Sequence, residues 1–429
     1  MNPILYLIYQ FLKLLTKISF RVYYPNATRM NLERLRYRGG SILVSNHPNT
    51  LLDPLNAACR VPKVVHFLAN ASLFQTPFTH WFFNTFFCIP VERPQDTKGK
   101  PINNANAFRK SQQFINNGGC LFIAPEGGSD MERRVRPFKT GTARILLGAA
   151  AQQNFDSDLC ILPVGLTYDH ANRFRSRMTV NAAPPLLARN YAELYRTDTL
   201  KAARQLTQDL EQAIRDHTID TKDLTEDAIV LRAEALLRNS YPLEGAAHFK
   251  RTKAWIDGLR KQAVTDPDTH NQYIQALEEY WSKLEGAQAT DEAIAHRVNR
   301  LSLIGFVAGA PLALYGWLNN LLPGYLPKLA SGKLDLYVGY TATVQILCGL
   351  LTFPLFYALQ SIAVSALLGS AAGWLYLVSL PLSGWLFLKW KALGRRIQAR
   401  RNVKQLDDFE ALQAERSRLL KSTLQYLNH

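Results

Sequence analysis

Two stretches of this chain carry no charged residue at all, 301–322 and 336–388. Crossing a bilayer takes about 20 apolar residues, and a charge-free run of that length is the signature of a membrane helix. The first run is long enough for one crossing. The second has room for two, bounded by Asp335 and Lys389, with Gly369-Ser370 and Gly373 near the natural break. Placing both runs inside a soluble core is the alternative, and it would have to hide each of them completely. The chain is therefore read as tied to a membrane.

Charge sets the orientation expected of it. The tail after the second run is basic, with Lys389, Lys391, Arg395, Arg396, Arg400, Arg401 and Lys404, and cytoplasmic flanks carry the excess of Lys and Arg. The N-terminal half is basic too and belongs on the same side. Three full crossings would separate the two, so the expectation is two crossings, or a hairpin plus a re-entrant piece. That makes a multi-pass protein with its N-terminal domain on the cytoplasmic face, at the inner membrane if the chain is bacterial. The formal net charge of +16 over 429 residues points to an anionic partner: membrane surface, phosphorylated substrate or nucleic acid. Aromatic residues gather near apolar stretches rather than among basic ones, which argues against nucleic acid. Five single cysteines without a CxxC pair read as reduced, mostly buried thiols with no metal cluster.

Residues 1–34 open on Pro3 and run through Ile4, Leu7, Phe11, Leu14 and Ile18, with Gln10, Lys13, Lys17 and Arg21 on one stripe. No cleavable signal pattern accompanies them. The uncharged part is short for a crossing, so an amphipathic helix lying in the membrane plane is expected; a first helix buried in the domain is the alternative.

From 35 to 189 short apolar runs alternate with helical patterns. Strands are predicted at 42–45, 64–68, 87–91, 120–124, 160–167 and 178–181, with helices at 103–117 and 139–153. This is the pattern of an α/β domain, a mostly parallel sheet flanked by helices, in which functional groups sit at strand ends. Four stretches begin where a strand ends, or just beyond. The first, Asn46-His47-Pro48-Asn49-Thr50-Leu51-Leu52-Asp53, offers a histidine and a carboxylate that together can make a general base; it reads equally as a turn followed by a helix start. The second delivers Arg93 to a turn, where a guanidinium can grip a phosphate or pair with a nearby acid. The third is Pro125-Glu126-Gly127-Gly128-Ser129, where the glycines let backbone N–H groups come close to an oxygen; a plain glycine turn is the other reading. Arg133, Arg134, Arg136 and Lys139 then precede a helix start, a place that attracts anions or presents a solvated basic face. A fifth stretch, Ile161-Leu162-Pro163-Val164, is an apolar strand interrupted by proline, which alone suggests an edge or irregular strand.

In this order and spacing the five stretches resemble the glycerolipid acyltransferase superfamily, which acylates glycerol-3-phosphate and lysophosphatidic acid. The resemblance covers about 35–185. It implies His47 as general base with Asp53, and Arg93, Glu126, Gly127, Gly128, Arg136 and Lys139 as substrate-binding residues. It also implies an acyl thioester donor, acyl-CoA or acyl carrier protein, and no cofactor or metal. The acceptor implied first is glycerol-3-phosphate, then lysophosphatidic acid, in phospholipid biosynthesis; a non-catalytic lipid-binding protein on the same fold is the third reading. Two departures stand out. Five residues rather than four separate His47 from Asp53, similar to a branch with membrane-bound glycerol-3-phosphate and dihydroxyacetone-phosphate acyltransferases of fungi and bacterial relatives. The glycine turn continues with Gly128-Ser129 rather than Thr-Arg or Thr-Ser.

Residues 190–300 are rich in helix formers, with helical patterns at 192–217, 223–238 and 269–284. They are expected to form a helical extension packed on the catalytic domain, followed by the transmembrane region at 301–388 and a basic cytoplasmic tail at 389–429.

Overall fold

The computed structural model describes residues 2–74, 76–85, 87–92, 104–405 and 408–427. The chain divides into two units, Met1–Lys222 with Leu336–Thr343, and Asp223–Asp335 with Val344–His429.

The first unit is built on a sheet of eight strands among the described residues: β1 (Asn26–Met30), β2 (Ser41–Ser45), β3 (Val65–Asn70), β4 (Cys88–Val91), β5 (Cys120–Ile123), β6 (Cys160–Tyr168), β7 (Arg177–Ala182) and β8 (Leu186–Leu187). Their order is β1-β7-β6-β2-β5-β3-β4, with β8 beside β6. Pairing is parallel except where β6 meets β7 and β8. Strands β2 and β6 are buried along their whole length, which is why both read as unbroken apolar runs rather than alternating ones. The short, polar, half-exposed β1 has no such signal.

Pro163 lies in a central strand, not at an edge. It falls between the two antiparallel partners of β6: Ile161 faces Leu186 of β8 and Val164 faces Ala182 of β7. In that step no ladder donor is missed, and the Pro163 carbonyl still accepts from the Ala183 N–H at 2.9 Å.

Seven helices complete this unit: α1 (Pro3–Tyr23), α2 (Leu52–Ala58), α3 (Pro77–Thr85), α4 (Ala105–Asn116), α5 (Gly141–Ala151), α6 (Ala192–Thr197) and α7 (Thr199–Asp216). Ile42, Val44, Leu121, Ile123 and Ile161 of the sheet pack with Ile115 of α4, Ile145 and Leu146 of α5, and Leu206, Leu210 and Ile214 of α7 in one buried cluster. The single helix expected at 192–217 is two, because Asp198 takes an extended conformation and caps α7, accepting from the N–H groups of Leu200 and Lys201. Helices α6 and α7 group with the sheet, so this unit runs past 189 to Lys222. Helix α1 turns Tyr9, Phe20 and Tyr23 inward and leaves Ile4, Leu7, Phe11, Leu14, Ile18 and Val22 exposed.

The second unit is helical: α8 (Leu224–Ser240), α9 (Gly245–Thr265), α10 (Pro267–Gly286), α11 (Asp291–Ala295), α12 (Arg300–Ala308), α13 (Ala310–Lys333), α14 (Thr341–Leu368), α15 (Ser370–Lys404) and α16 (Phe409–Gln425). Trp255, Tyr273, Leu277 and Tyr280 are buried in α9 and α10, and Arg416 of α16 binds both carboxylate oxygens of Asp291, at 2.7 and 3.0 Å.

Two helices, Val338–Leu368 and Ser370–Lys404, are long and apolar enough to cross a membrane, while α12 and α13 form a pair bent by 51° at Gly309. Here the usual polarity is inverted. Leu351, Leu355, Leu359, Ile362, Trp374, Leu375 and Val378 face outward, and the amides turn inward. Asn319 and Asn320 of α13 take bonds from Gln360 and Tyr357 of α14 and from Tyr376 of α15. Apolar outside and polar within is the arrangement a lipid solvent selects.

Candidate active site

Three neighbouring strands of the first unit, β6, β2 and β5, end together and carry the candidate residues. Past the end of β2, the Asn46 side chain bonds both the N–H and the carbonyl of Leu166 in β6, each at 2.8 Å. His47 follows. Its Nδ1 lies 3.1 Å from Asp53 Oδ2; Asp53 is fully buried while the imidazole keeps 19% of its surface exposed. The ring is thus held from one side and open on the other, with no bond to Nε2 among the described residues.

The longer His–Asp spacing is absorbed at one residue. Thr50 adopts φ 41°, in the left-handed region, which a β-branched side chain enters only under strain. That reversal lets α2 begin at Leu52 with Asp53 in its first turn, directed back at the imidazole. Asp53 also accepts from the Asn49 N–H at 2.5 Å and from the Tyr168 hydroxyl at 3.0 Å. Burial pushes its carboxyl up, and the bonds from His47, Asn49 and Tyr168 oppose that shift by favouring the charged form. Tyr168, at the end of β6, was not singled out from the sequence; a tyrosine closing an apolar strand carries no signal until the fold sets it beside Asp53.

Glu126, beyond β5, accepts the His47 backbone N–H at 3.1 Å. Burial raises its carboxyl to about 8, so near neutrality it is mostly the uncharged acid. It therefore connects the glycine turn to the residue that carries the imidazole. Gly127 has φ 72°, a backbone conformation that favours glycine, and the Lys139 side chain lies across it, its Nζ 2.4 Å from where a Cβ would stand. Gly128 faces open space. The next residue, Ser129, accepts the Thr50 N–H at 2.9 Å. The cations divide into two kinds: Arg136 pairs with Asp130 and Glu132, and Arg134 with Glu132, whereas Lys139 forms no ion pair among the described residues. Arg93 lies outside the described residues.

A mostly parallel sheet with a half-open, carboxylate-held histidine at its strand ends defines the domain as one suited to base chemistry on a bound substrate. The acyltransferase family model matches residues 27–167. Glycerol-3-phosphate O-acyltransferase 2 of Saccharomyces cerevisiae is 28% identical over 136 residues, 32% of this chain and 18% of that protein. An uncharacterised acyltransferase of Schizosaccharomyces pombe is 31% identical over 134 residues, 31% of this chain and 20% of that protein. The similarity therefore takes in about a fifth of each yeast protein. The crystal structure of the 1-acyl-sn-glycerophosphate (LPA) acyltransferase from Thermotoga maritima is 16% identical and covers 47% of this chain and 79% of that one, at a TM-score of 0.31; so slight an overlap carries no argument. The domain of residues 27–167 belongs to the glycerolipid acyltransferase superfamily.

Proposed function

We propose that this protein is a membrane-bound O-acyltransferase that moves a fatty acyl chain from a thioester, acyl-CoA or acyl carrier protein, to a hydroxyl of glycerol-3-phosphate. One observation carries the reading: His47 is held at Nδ1 by a buried carboxylate while the ring remains open to a substrate.

An alcohol is a poor nucleophile until a base takes its proton, and His47 Nε2 is the base in this scheme, with Asp53 favouring the imidazolium that results. The alkoxide oxygen attacks the thioester carbonyl and a tetrahedral intermediate forms. Its collapse breaks the C–S bond, and the leaving thiolate takes the proton back from His47. The products are an acylglycerol phosphate and the free thiol. Lys139, poised over the glycine turn without an acidic partner among the described residues, binds the acceptor phosphate together with Arg93. Arg136 is already committed to Asp130 and Glu132 and contributes less. Glu126 acts first on the His47 backbone and leaves its other oxygen for an acceptor hydroxyl.

The test uses membranes containing the full chain, radiolabelled acyl-CoA or acyl carrier protein, and glycerol-3-phosphate or lysophosphatidic acid in separate reactions. The wild type should acylate glycerol-3-phosphate, and His47→Ala should lose about 10²- to 10⁴-fold in rate, the contribution usual for a positioned base. Preference for lysophosphatidic acid would move the acceptor assignment. Activity unchanged in His47→Ala would end the mechanism, and activity on neither acceptor would favour a lipid-binding role.

A further inference from the structure

The segment Leu336–Thr343 joins α13 to α14, yet it groups with the acyltransferase unit. Gly339, Ala342 and Thr343 are buried. The Thr50 hydroxyl donates to the Gly339 carbonyl at 3.1 Å and lies 3.5 Å from the Thr343 hydroxyl. Tyr337 reaches the other side of the same site, its hydroxyl accepting the Met131 N–H at 3.3 Å. Gly339 has no room for a side chain, since a Cβ would lie 2.5 Å from the Tyr337 ring and 3.0 Å from Thr50 Cγ2.

These contacts converge on a strained residue. Left-handed backbone at a threonine is strained and persists only where its surroundings over-determine it. Here the N–H of Thr50 is fixed by Ser129 and its hydroxyl by Gly339. Thr50 is also the residue whose reversal brings Asp53 back to His47.

We infer that the 336–343 segment is a strap of the acyltransferase site, holding Thr50 in its strained conformation and so setting the His47–Asp53 pair and the glycine turn. Thr50, Tyr337 and Gly339 are positioning residues; none needs to touch substrate. The inference rests on His47 as the base.

Two measurements test it. The first is independent of any substrate: the Thr50 and Thr343 side-chain oxygens lie 3.5 Å apart, so cysteines at these two positions bring their sulfurs within reach of each other. A Thr50→Cys/Thr343→Cys chain in membranes should cross-link under mild oxidation and run faster on a non-reducing gel. Failure to cross-link, with both thiols open to labelling, would overturn the strap. The second is kinetic, with whichever acceptor the wild type uses. Thr50→Val and Gly339→Ala should each lower kcat about tenfold with KM for the acyl donor unchanged, and the double variant should be no worse than either alone. Thr50→Ser, which keeps the hydroxyl, should recover most of the rate. Undiminished kcat in both single variants, or losses that multiply, would overturn the positioning role. A wild type inactive on every acceptor would count against the proposed function while the cross-link still reports on the strap.

Discussion

Tyr168, at the end of β6, donates a hydrogen bond from its hydroxyl to Asp53 Oδ1 at 3.0 Å. Removing that bond leaves the buried carboxylate one donor short, so its proton is held more tightly. Tyr168→Phe should therefore move the acidic limb of the kcat/KM profile to higher pH and lower the rate on the plateau; an unmoved limb would show that the tyrosine only fills space. Glu126 makes a prediction about stability. Its folded value of about 8 stands above the ordinary carboxylate value of 4.5, so in that window the folded chain binds more protons than the unfolded one and stability falls as pH rises. Glu126→Gln, which resembles the neutral acid, should flatten the decline between those two values when unfolding is followed against pH. At this scale the sequence exposed residue types but not their partners. His47, Asp53 and Glu126 were legible because they follow strands. That Glu126 would bond the His47 backbone, or that Arg136 would be occupied by Asp130 and Glu132, depends on folds of the 126–139 loop that no spacing encodes.

Strand β6 shows how an element can be legible in outline and hidden in detail. Its apolar run predicted the strand almost to the residue, yet Pro163 pointed to an edge, and only the change of partner from β8 to β7 explains its central place. Gly165 in the same strand matters for another reason. A Cβ there would lie 2.2 Å from the carbonyl oxygen of His217, the residue that ends α7, so the glycine is what lets α7 close on the sheet. Gly165→Ala should destabilise the unit by about 1–3 kcal/mol, the usual cost of overpacking, read as a lower unfolding midpoint in urea; an unchanged midpoint would mean the helix end gives way freely. Helix α7 also shows why 192–217 looked continuous. Helix formers dominate on both sides of Asp198, and a single capping aspartate leaves little trace in such a pattern. Helix α1 fits its predicted outline, but Lys13 turns inward to the Val61 carbonyl, so its outward face is more apolar than the spacing of lysines suggested.

Helix α15 runs without a break from the apolar 370–388 stretch into the basic residues that end with Lys404, and the positive-inside rule predicts a cytosolic position for such a basic end. With α14 and α15 as the two crossings, a reporter fused to the C-terminus and one fused before α1 should both read cytosolic. A C-terminal reporter on the far side would require a third full crossing by the bent pair of α12 and α13. Charge-free runs told how many helices could enter lipid, but not that one would bend, because the turn at Gly309 and Pro311 looks like any other glycine and proline in an apolar run. The two asparagines of α13 bear on how such a chain is made. Lipid has no water to satisfy a polar atom whose partner is missing; the amide nitrogens of Asn319 and Asn320 bond the Tyr315 and Gly316 carbonyls within α13, but their side-chain oxygens accept from Tyr376 of α15 and Tyr357 of α14, which leave the ribosome later. A nascent chain that ends after α13 therefore still lacks the donors for two amide oxygens, which the hairpin behind it supplies. The tyrosines of the later hairpin are thus what completes the polar interior that α13 begins.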